Sequence, residues 1–236
     1  MNYAVIIAGG SGKRMGQSIP KQFLNINDKP IIIYTLEAFQ KEPTIDAICV
    51  VCIEGWESIL TAYAEQFNIT KLKWIVNGGK NGQESIYNGL KGIEGAKEDD
   101  IILVHDAIRP LVSSDIINDC IMTCQKHGNA IVTIPCNEAM LYSENGLDSE
   151  KSIDRSTLKR TQTPQAVKYK DFIKLHEDAL KAGITNSIAT CTLLVEMGHK
   201  IYFSLGSEKN VKLTTVEDID IFQALLYTKR NSFLKR

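Results

Sequence analysis

Short apolar segments alternate with longer amphipathic segments along most of the chain. The apolar runs are rich in β-branched residues and predict six strands, at residues 3–8, 47–53, 73–76, 101–105, 130–135 and 201–205. Helical periodicity predicts seven helices, at residues 30–40, 56–67, 84–93, 114–126, 168–181, 189–197 and 216–228. This alternation is typical of βαβ units, so we expect an α/β fold with a mainly parallel sheet flanked by helices.

Two hydroxyl residues are candidates for helix N-caps. Ser114 precedes one amphipathic run, and Thr215 is followed by Asp218 in the spacing of a capping box.

Residues 137–165 break the alternation, because they are polar, show little helical period and are long for a simple connection. We expect this segment to project from the rest as an arm. A projecting arm often meets a second subunit, which favours a homodimer.

Composition narrows the function classes. The 27 basic and 28 acidic residues give a formal charge of −1, so no overall field attracts nucleic acid or an anionic membrane. No apolar run reaches the roughly eighteen residues of a membrane helix, and the first residues already read as a strand rather than a signal peptide. We therefore expect a cytoplasmic protein of one domain, residues 1–236, with no nucleic-acid or membrane partner and with reduced cysteines.

Four of the cysteines form close pairs that resemble metal or redox motifs. Cys49 and Cys52 lie three apart in a predicted strand and so point to opposite faces, while Cys120 and Cys124 lie one helical turn apart. Both patterns favour core packing over a metal site.

The most informative segment is AGGSGKRMGQSIPKQFL, residues 8–24. Glycines directly after the first strand allow backbone N–H groups to approach an anion, and cations follow at Lys13, Arg14 and Lys21. A P-loop is excluded because Arg14 stands where Ser or Thr is required, and the glycine spacing does not fit a dinucleotide fingerprint. The segment favours binding of a polyphosphate.

Three further segments contain candidate binding residues that follow predicted strands. Asp106 and Arg109 follow the fourth predicted strand, where a carboxylate can bind Mg²⁺ and a guanidinium can bind a phosphate. The alternative is an Asp that caps a turn and pairs with Arg109. Ser85 starts a helix after a glycine-rich turn whose exposed polar groups suit the edge of a base. Lys212 follows the last predicted strand.

With these motifs the chain resembles the sugar-alcohol-phosphate cytidylyltransferases, the family of the 2-C-methyl-D-erythritol 4-phosphate and ribitol-5-phosphate cytidylyltransferases. The resemblance spans nearly the whole chain and depends on AGGSGKRM, PKQFL, HDAIRP, DR, QTPQ and NVKLTT in this order. It implies a Rossmann-like domain, a β-arm that completes a homodimer, and a transfer reaction between CTP and a sugar-alcohol phosphate.

The resemblance also implies roles for particular residues. Arg14, Lys21 and Lys212 would surround the triphosphate as catalytic cations, and Asp106 would bind Mg²⁺ and the nucleotide. Arg109 and Arg155, the latter from the partner's arm, would bind the acceptor phosphate. The remaining nucleotide-binding positions would be Ala8, Gly9, Gly10, Ser11, Gly12, Lys13, Gly78, Gly79 and Ser85.

The sequence departs from the family pattern at three places. Gly82 stands where relatives usually have Arg, residues 186–189 lack an expected Asp, and Ala139 replaces a Thr in the arm, where a Lys is also missing. We expect these changes to affect the acceptor side more than the CTP side.

AGG in the first loop and the run from Cys191 to Gly198 favour the ribitol-phosphate branch. Two alternatives stay open: a methylerythritol-phosphate enzyme, and a degenerate nucleotide-binding regulatory protein.

Overall fold

The chain forms a seven-stranded sheet with helices on both faces, in a computed structural model that describes residues 1–10 and 19–227. Its strands are β1 Asn2–Ala8, β2 Asn25–Ile26, β3 Lys29–Pro30, β4 Ala47–Cys52, β5 Leu72–Asn77, β6 Ile101–Asp106, β7 Asn129–Pro135, β8 Met140–Tyr142, β9 Lys151–Ile153, β10 Lys159–Lys168 and β11 Phe203–Leu205. Its helices are α1 Ile31–Lys41, α2 Glu57–Gln66, α3 Gly82–Lys91, α4 Ser114–His127, α5 Tyr169–Lys181, α6 Thr190–Glu196 and α7 Val216–Tyr227.

The expected mainly parallel sheet is confirmed. The strand order is β11-β7-β10-β6-β1-β4-β5, and β1 pairs in parallel with both β4 and β6. The exception is β10, which runs antiparallel between β6 and β7. The carboxyl ends of β1, β4, β5, β6 and β7 therefore share one edge of the sheet with the beginning of β10.

Successive side chains of the buried strands point to opposite faces of the sheet and pack into two separate cores. Ala4 and Ile6 of β1 pack with residues of α1, α2 and α4, whereas Tyr3 and Val5 pack with residues of α3, α5 and α6. Cys52 lies in the first core and Cys49 in the second, so these two thiols point to opposite faces as predicted.

Helix α7 forms a smaller third core at the edge of the sheet where the parallel strands end. Phe222 is fully buried against Ile108 and Leu213, which follow the segments of Asp106 and Lys212. The N–H of Leu213 also donates to the carbonyl of Ile108 at 2.9 Å. Helix α7 thus packs over the junction of two segments that are distant in sequence.

The observed arm is shorter than the predicted one, residues 137–165. Its hairpin, formed by β8 and β9, is exposed along both strands. From Lys159 onward the chain is β10 of the main sheet. The pattern concealed this strand because its centre is polar and contains Pro164, with the register interrupted between Thr161 and Gln165.

The other predicted elements lie within two residues of their observed ends, and predicted position 228 falls outside the described residues. Ser114 as the N-cap of α4 was wrong: Ser113 caps the helix by accepting from Ile116 N, and Ser114 bonds Glu42 instead. The capping box of Thr215 and Asp218 is confirmed by reciprocal bonds of 2.8 and 3.4 Å. No helix within residues 1–10 and 19–227 has the length and apolar character to span a membrane.

Candidate active site

Three of the predicted motifs meet where parallel strands end. Gly9 follows β1, Gly78 follows β5, and Asp106 is the last residue of β6. A Cβ added to Gly9 would lie 3.5 Å from the Cα of Gly78. The glycine-rich loop after β1 therefore directly contacts the turn between β5 and α3, residues 78–81, which we call the base-side turn because the base is expected there. The topology brings together residues that are 69 positions apart in the sequence.

Gln22 fixes the backbone of the glycine-rich loop. Its side-chain amide is buried and donates to the carbonyls of Ala8 at 2.6 Å and Gly10 at 3.0 Å. Lys21 is half-buried and begins the same 3₁₀ turn, Lys21–Phe23, so Gln22 holds this predicted cation beside the loop. Among the residues that the structure describes, none has an atom within 4 Å of a Cβ added to Gly10.

Four predicted loop residues, Ser11, Gly12, Lys13 and Arg14, lie outside the described residues. Their contacts with a nucleotide stay predictions.

The base-side turn uses its donors internally. The N–H of Gly79 donates to Ser85 Oγ at 2.9 Å, and that hydroxyl donates to the carbonyl of Asn81 at 2.7 Å. Gly78 N donates to the carbonyl of Cys52. Ser85 is buried, contrary to the expectation of an exposed hydroxyl, because the hydroxyl closes the turn that begins α3. Contact of this turn with a base stays a prediction.

A carboxylate between two cations lies at the end of β6. Arg109 Nε is 2.9 Å from Asp106 Oδ2, and Lys212 Nζ is 3.1 Å from Asp106 Oδ1. The pairing with Arg109 is what the turn-capping alternative predicts. The second cation, from a segment 106 positions away, is not part of that alternative. Asp106 is thus part of a three-residue ionic cluster.

Electrostatics keep this carboxylate charged. Burial raises the pKa of Asp106, but the positive charges of Lys212 and Arg109 outweigh burial and hold the pKa below its usual value. The adjacent His105 is fully buried, and burial lowers its pKa to about 4. His105 is therefore neutral at pH 7 and adds no charge to the cluster.

Two residues that the sequence analysis did not single out position this cluster. The carbonyl of Asn210 accepts from Arg109 at 2.8 Å, and the Asn210 side chain donates to the carbonyl of Thr163 at 2.9 Å. Thr163 Oγ1 accepts from the N–H of Asp106 at 3.1 Å. Both lie inside the motifs NVKLTT and QTPQ, so their presence in those motifs was the available signal.

Arg155 does not pair with this cluster within the chain. It lies in the exposed 3₁₀ turn Arg155–Thr157, and its guanidinium donates to the carbonyl of Asn137 at 2.5 Å. That bond joins the two ends of the arm. Its expected role in a partner's site is neither supported nor contradicted by this contact.

The departures from the family pattern lie at two places in the fold, and their expected effect on the acceptor side stays a prediction. Gly82 begins α3, and residues 184–187 pack against the same helix end, because Gln83 donates to Ile184 and accepts from Ser187 N at 2.8 Å. Asn81 also donates to the carbonyl of Thr185. Two of the three departures therefore adjoin the turn assigned to the nucleotide, and only Ala139 lies in the arm.

Asp106 has the chemistry of a magnesium ligand. It is an ionised carboxylate at a strand end, and Mg²⁺ is commonly held by one or two carboxylates together with substrate phosphates and water. In the described part of the chain, no group of three or more His, Cys, Asp or Glu side chains is arranged to hold a metal ion. Asp106 therefore fits Mg²⁺ only if the substrate supplies the remaining oxygens.

Glycine-rich turns, an ionised Asp and paired cations at one edge of a parallel sheet are the arrangement of a nucleotidyltransferase. The family model of IspD, 2-C-methyl-D-erythritol 4-phosphate cytidylyltransferase, matches residues 2–228, and the chain belongs to this family. Its chemistry is therefore that of a cytidylyltransferase.

Similar proteins carry two substrate names. The ribitol-5-phosphate cytidylyltransferase of Lacticaseibacillus paracasei is 45% identical over 96% of this chain and 98% of its own. The 2-C-methyl-D-erythritol 4-phosphate cytidylyltransferase of Clostridium acetobutylicum is 41% identical over 98% of this chain and 99% of its own. The structure of 4-diphosphocytidyl-2C-methyl-D-erythritol synthase from Anaerococcus prevotii supports the fold, with a TM-score of 0.83 at 22% identity over 97% of this chain and 96% of that one.

Proposed function

We propose that this chain transfers the cytidylyl group of CTP to ribitol 5-phosphate or a related polyol phosphate, giving a CDP-alcohol and pyrophosphate. The observation that supports it best is the Asp106 carboxylate held between Lys212 and Arg109, at the strand edge that also holds Gly9. The ribitol-phosphate assignment draws on the 45% identity to a relative of that name.

The reaction needs positioning more than acid–base chemistry. An oxygen of the acceptor phosphate attacks the α-phosphorus of CTP in line, the bond from that phosphorus to the bridging oxygen breaks, and pyrophosphate leaves with the electron pair. The nucleophile is already an anion, so no protein base has to remove a proton. Catalysis then depends on alignment and on neutralising the charge that develops.

Lys212 and Lys21 are suited to this charge neutralisation. Lys212 is 42% exposed on its side chain and already faces a carboxylate at the site, and Lys21 lies on the turn that Gln22 ties to the loop. Arg14 completes the proposed set from outside the described residues. Arg109, whose side chain is 11% exposed, is held by Asp106 and the carbonyl of Asn210 and would bind the acceptor phosphate.

Asp106 would hold Mg²⁺ together with the phosphate oxygens of CTP. The metal would supply positive charge to the phosphates as negative charge builds up. The protein's part in this is to keep the carboxylate ionised and oriented, which Lys212 and Arg109 do, while the hydroxyl of Thr163 holds the backbone N–H of Asp106.

We further propose a cytoplasmic homodimer in which each arm reaches the partner's site and Arg155 binds the partner's acceptor phosphate. The exposed arm presents apolar side chains, with Leu141 66% and Leu147 90% exposed. Exposed apolar groups of this kind are typical of a surface that another chain covers.

The second candidate acceptor is 2-C-methyl-D-erythritol 4-phosphate, since the 41% identical clostridial relative carries that name. Pyrophosphate release from CTP with each acceptor, followed by mass spectrometry of the product, separates the two. The higher kcat/KM identifies the substrate, and we expect it with ribitol 5-phosphate. Release with neither acceptor nor any other polyol phosphate, despite CTP binding, would favour the regulatory protein.

A further inference from the structure

A cavity of 270 Å³ opens beside the ionic cluster. Arg109 and Lys212 line one part of it, and Arg160, Glu208 and Asn210 line another. The cavity therefore continues from the proposed reaction centre towards the beginning of β10. Arg160 belongs to none of the motifs that indicated the function.

Arg160 differs from the other two cations in how it is paired. Arg109 and Lys212 contact the ionised Asp106 at 2.9 and 3.1 Å. Arg160 Nη1 lies 3.3 and 3.4 Å from the two carboxylate oxygens of Glu208, and both side chains are more than half exposed. Exposed ion pairs of this length contribute little to stability, so an incoming anion can replace Glu208 at low cost.

The backbone beneath this pair is well fixed. Arg160 pairs with Ile134 in the ladder between β10 and β7. The buried Gln162 donates to the carbonyl of Ser207 at 2.9 Å and accepts from its N–H at 3.3 Å, which holds the segment of Glu208 against β10. Only the two charged head groups are loosely held, whereas the backbone that carries each of them is fixed by these bonds.

The wall of the cavity contains a buried residue with an unpaired acceptor, Asn210. Asn210 is fully buried, and its Oδ1 has no hydrogen-bond partner among the residues that the structure describes. Buried polar atoms are normally paired, so a donor is missing at this position. Because Asn210 lies beneath the surface of the cavity, the group that a ligand can reach here is the half-exposed guanidinium of Arg160, a cation suited to a phosphate.

We propose that Arg160 exchanges Glu208 for the acceptor phosphate, holds its non-attacking oxygens and so determines affinity for the acceptor. A guanidinium suits this because it binds two phosphate oxygens at once. Glu208 acts as a competing anion that the substrate displaces. The inference rests on the proposed function.

The test measures KM for ribitol 5-phosphate and for CTP separately. Arg160→Ala is expected to raise the acceptor KM by about tenfold or more, because a charge-assisted hydrogen-bond pair is lost. The KM for CTP should stay within about twofold, and Arg160→Lys should recover part of the acceptor affinity. Lys159→Ala is the matched control, since Lys159 precedes Arg160 on β10, is exposed and does not line the cavity.

Glu208→Gln tests the exchange in the opposite direction. Removal of the competing charge should lower the acceptor KM, and this effect should disappear in the Arg160→Ala background. An unchanged acceptor KM in Arg160→Ala, or an equal rise in both KM values, overturns the inference while the proposed function stands.

Calorimetric titration of ribitol 5-phosphate, in the presence of a non-hydrolysable CTP analogue, separates the inference from the proposed function. Wild-type binding that Arg160→Ala weakens supports the role of Arg160 even if no pyrophosphate is released, an outcome that defeats only the proposed reaction. No wild-type binding overturns the inference as well.

Discussion

Lys212 Nζ lies 3.1 Å from Asp106 Oδ1, although 106 positions separate the two residues in the sequence. The contact depends on β6 ending at Asp106 and on the bond between Leu213 and Ile108 that joins the two segments. The fold thus holds together the cation proposed to bind the triphosphate and the carboxylate proposed to bind Mg²⁺, which reduces the reorganisation that the proposed reaction needs.

Removal of the two proposed catalytic lysines should lower turnover with little effect on folding. Lys212→Ala and Lys21→Ala are each expected to lose at least about a hundredfold in kcat, the usual effect of losing one preorganised charge. Pyrophosphate release and thermal unfolding measure the two properties. Lys209→Ala is the control for Lys212, because Lys209 is exposed in the same segment. Near-normal turnover in either variant would contradict the assigned role.

Asp106→Asn should impair magnesium-dependent turnover. The substitution keeps the shape and removes the charge, so we expect a loss of about a hundredfold and a higher Mg²⁺ concentration for half-maximal rate. Asp99→Asn is a suitable control, since Asp99 also pairs with a lysine, Lys168, at 2.9 Å but on the surface. An unaltered Mg²⁺ dependence in Asp106→Asn would show that the metal is bound elsewhere.

A mixture of two inactive variants tests whether Arg155 acts in the partner's site. Arg155→Ala and Lys212→Ala are each expected to be inactive alone. If Arg155 acts across the dimer, mixed dimers contain one complete site, and random exchange should restore about a quarter of wild-type activity. If Arg155 acts within its own subunit, every site lacks one residue and the mixture stays inactive. Subunit exchange is checked by native mass spectrometry.

Gly89→Ala should destabilise the protein even though alanine favours helices. An added Cβ would lie 2.6 Å from Val5 Cγ1 and 2.8 Å from Val51 Cγ2, so α3 has to move away from the sheet. Overpacking of about 1–3 kcal/mol outweighs the gain of about 1 kcal/mol from helix propensity. Gly82→Ala in the same helix meets no atom of residues 1–10 or 19–227 within 4 Å and should be neutral or slightly stabilising. Urea unfolding of both variants provides the comparison.

His176 should make the protein less stable in acid. Burial lowers its pKa to about 4, below the ordinary 6.5, so the folded state binds fewer protons than the unfolded state between these values. Stability contributed by the neutral form is complete above about pH 6.5 and is lost as the pH falls towards 4.

His176→Phe, which keeps an aromatic ring beside Tyr87 and Phe172, should reduce the stability difference between about pH 7 and pH 4.5 by about 2 kcal/mol. Urea unfolding at both pH values measures this. Equal pH dependence in the two proteins would show that folding does not lower the pKa of His176.

The elements that carry the candidate site could be predicted because the candidate site residues directly follow apolar runs that form strands. Asp106 follows an apolar run, and Gly9 follows another, so parallel pairing places them at one edge. β10 was missed because its polar centre with Pro164 does not resemble a buried strand. Its burial depends on neighbours from distant parts of the chain, β6 and β7.

Contacts between distant segments were the other information that the pattern lacks. Gln83 bonds Ser187 across 104 positions, and this contact brings two departures from the family pattern to the same end of α3. Arg160 and Glu208 are 48 positions apart, and each lies two residues outside a motif, QTPQ or NVKLTT, so the sequence did not show that their side chains meet.

The single strand β10 joins the end of the arm to the core of the sheet, passing Arg160 and Thr163 on the way. Every part of the proposed acceptor side between positions 137 and 165 is therefore one uninterrupted piece of chain, whereas the glycine loop and Lys21 are encoded elsewhere. Natural recombination or a laboratory graft could exchange that piece between relatives as a cassette. Because Thr163 of that piece bonds Asp106, such an exchange would have to keep this threonine for the nucleotide half to stay unaltered.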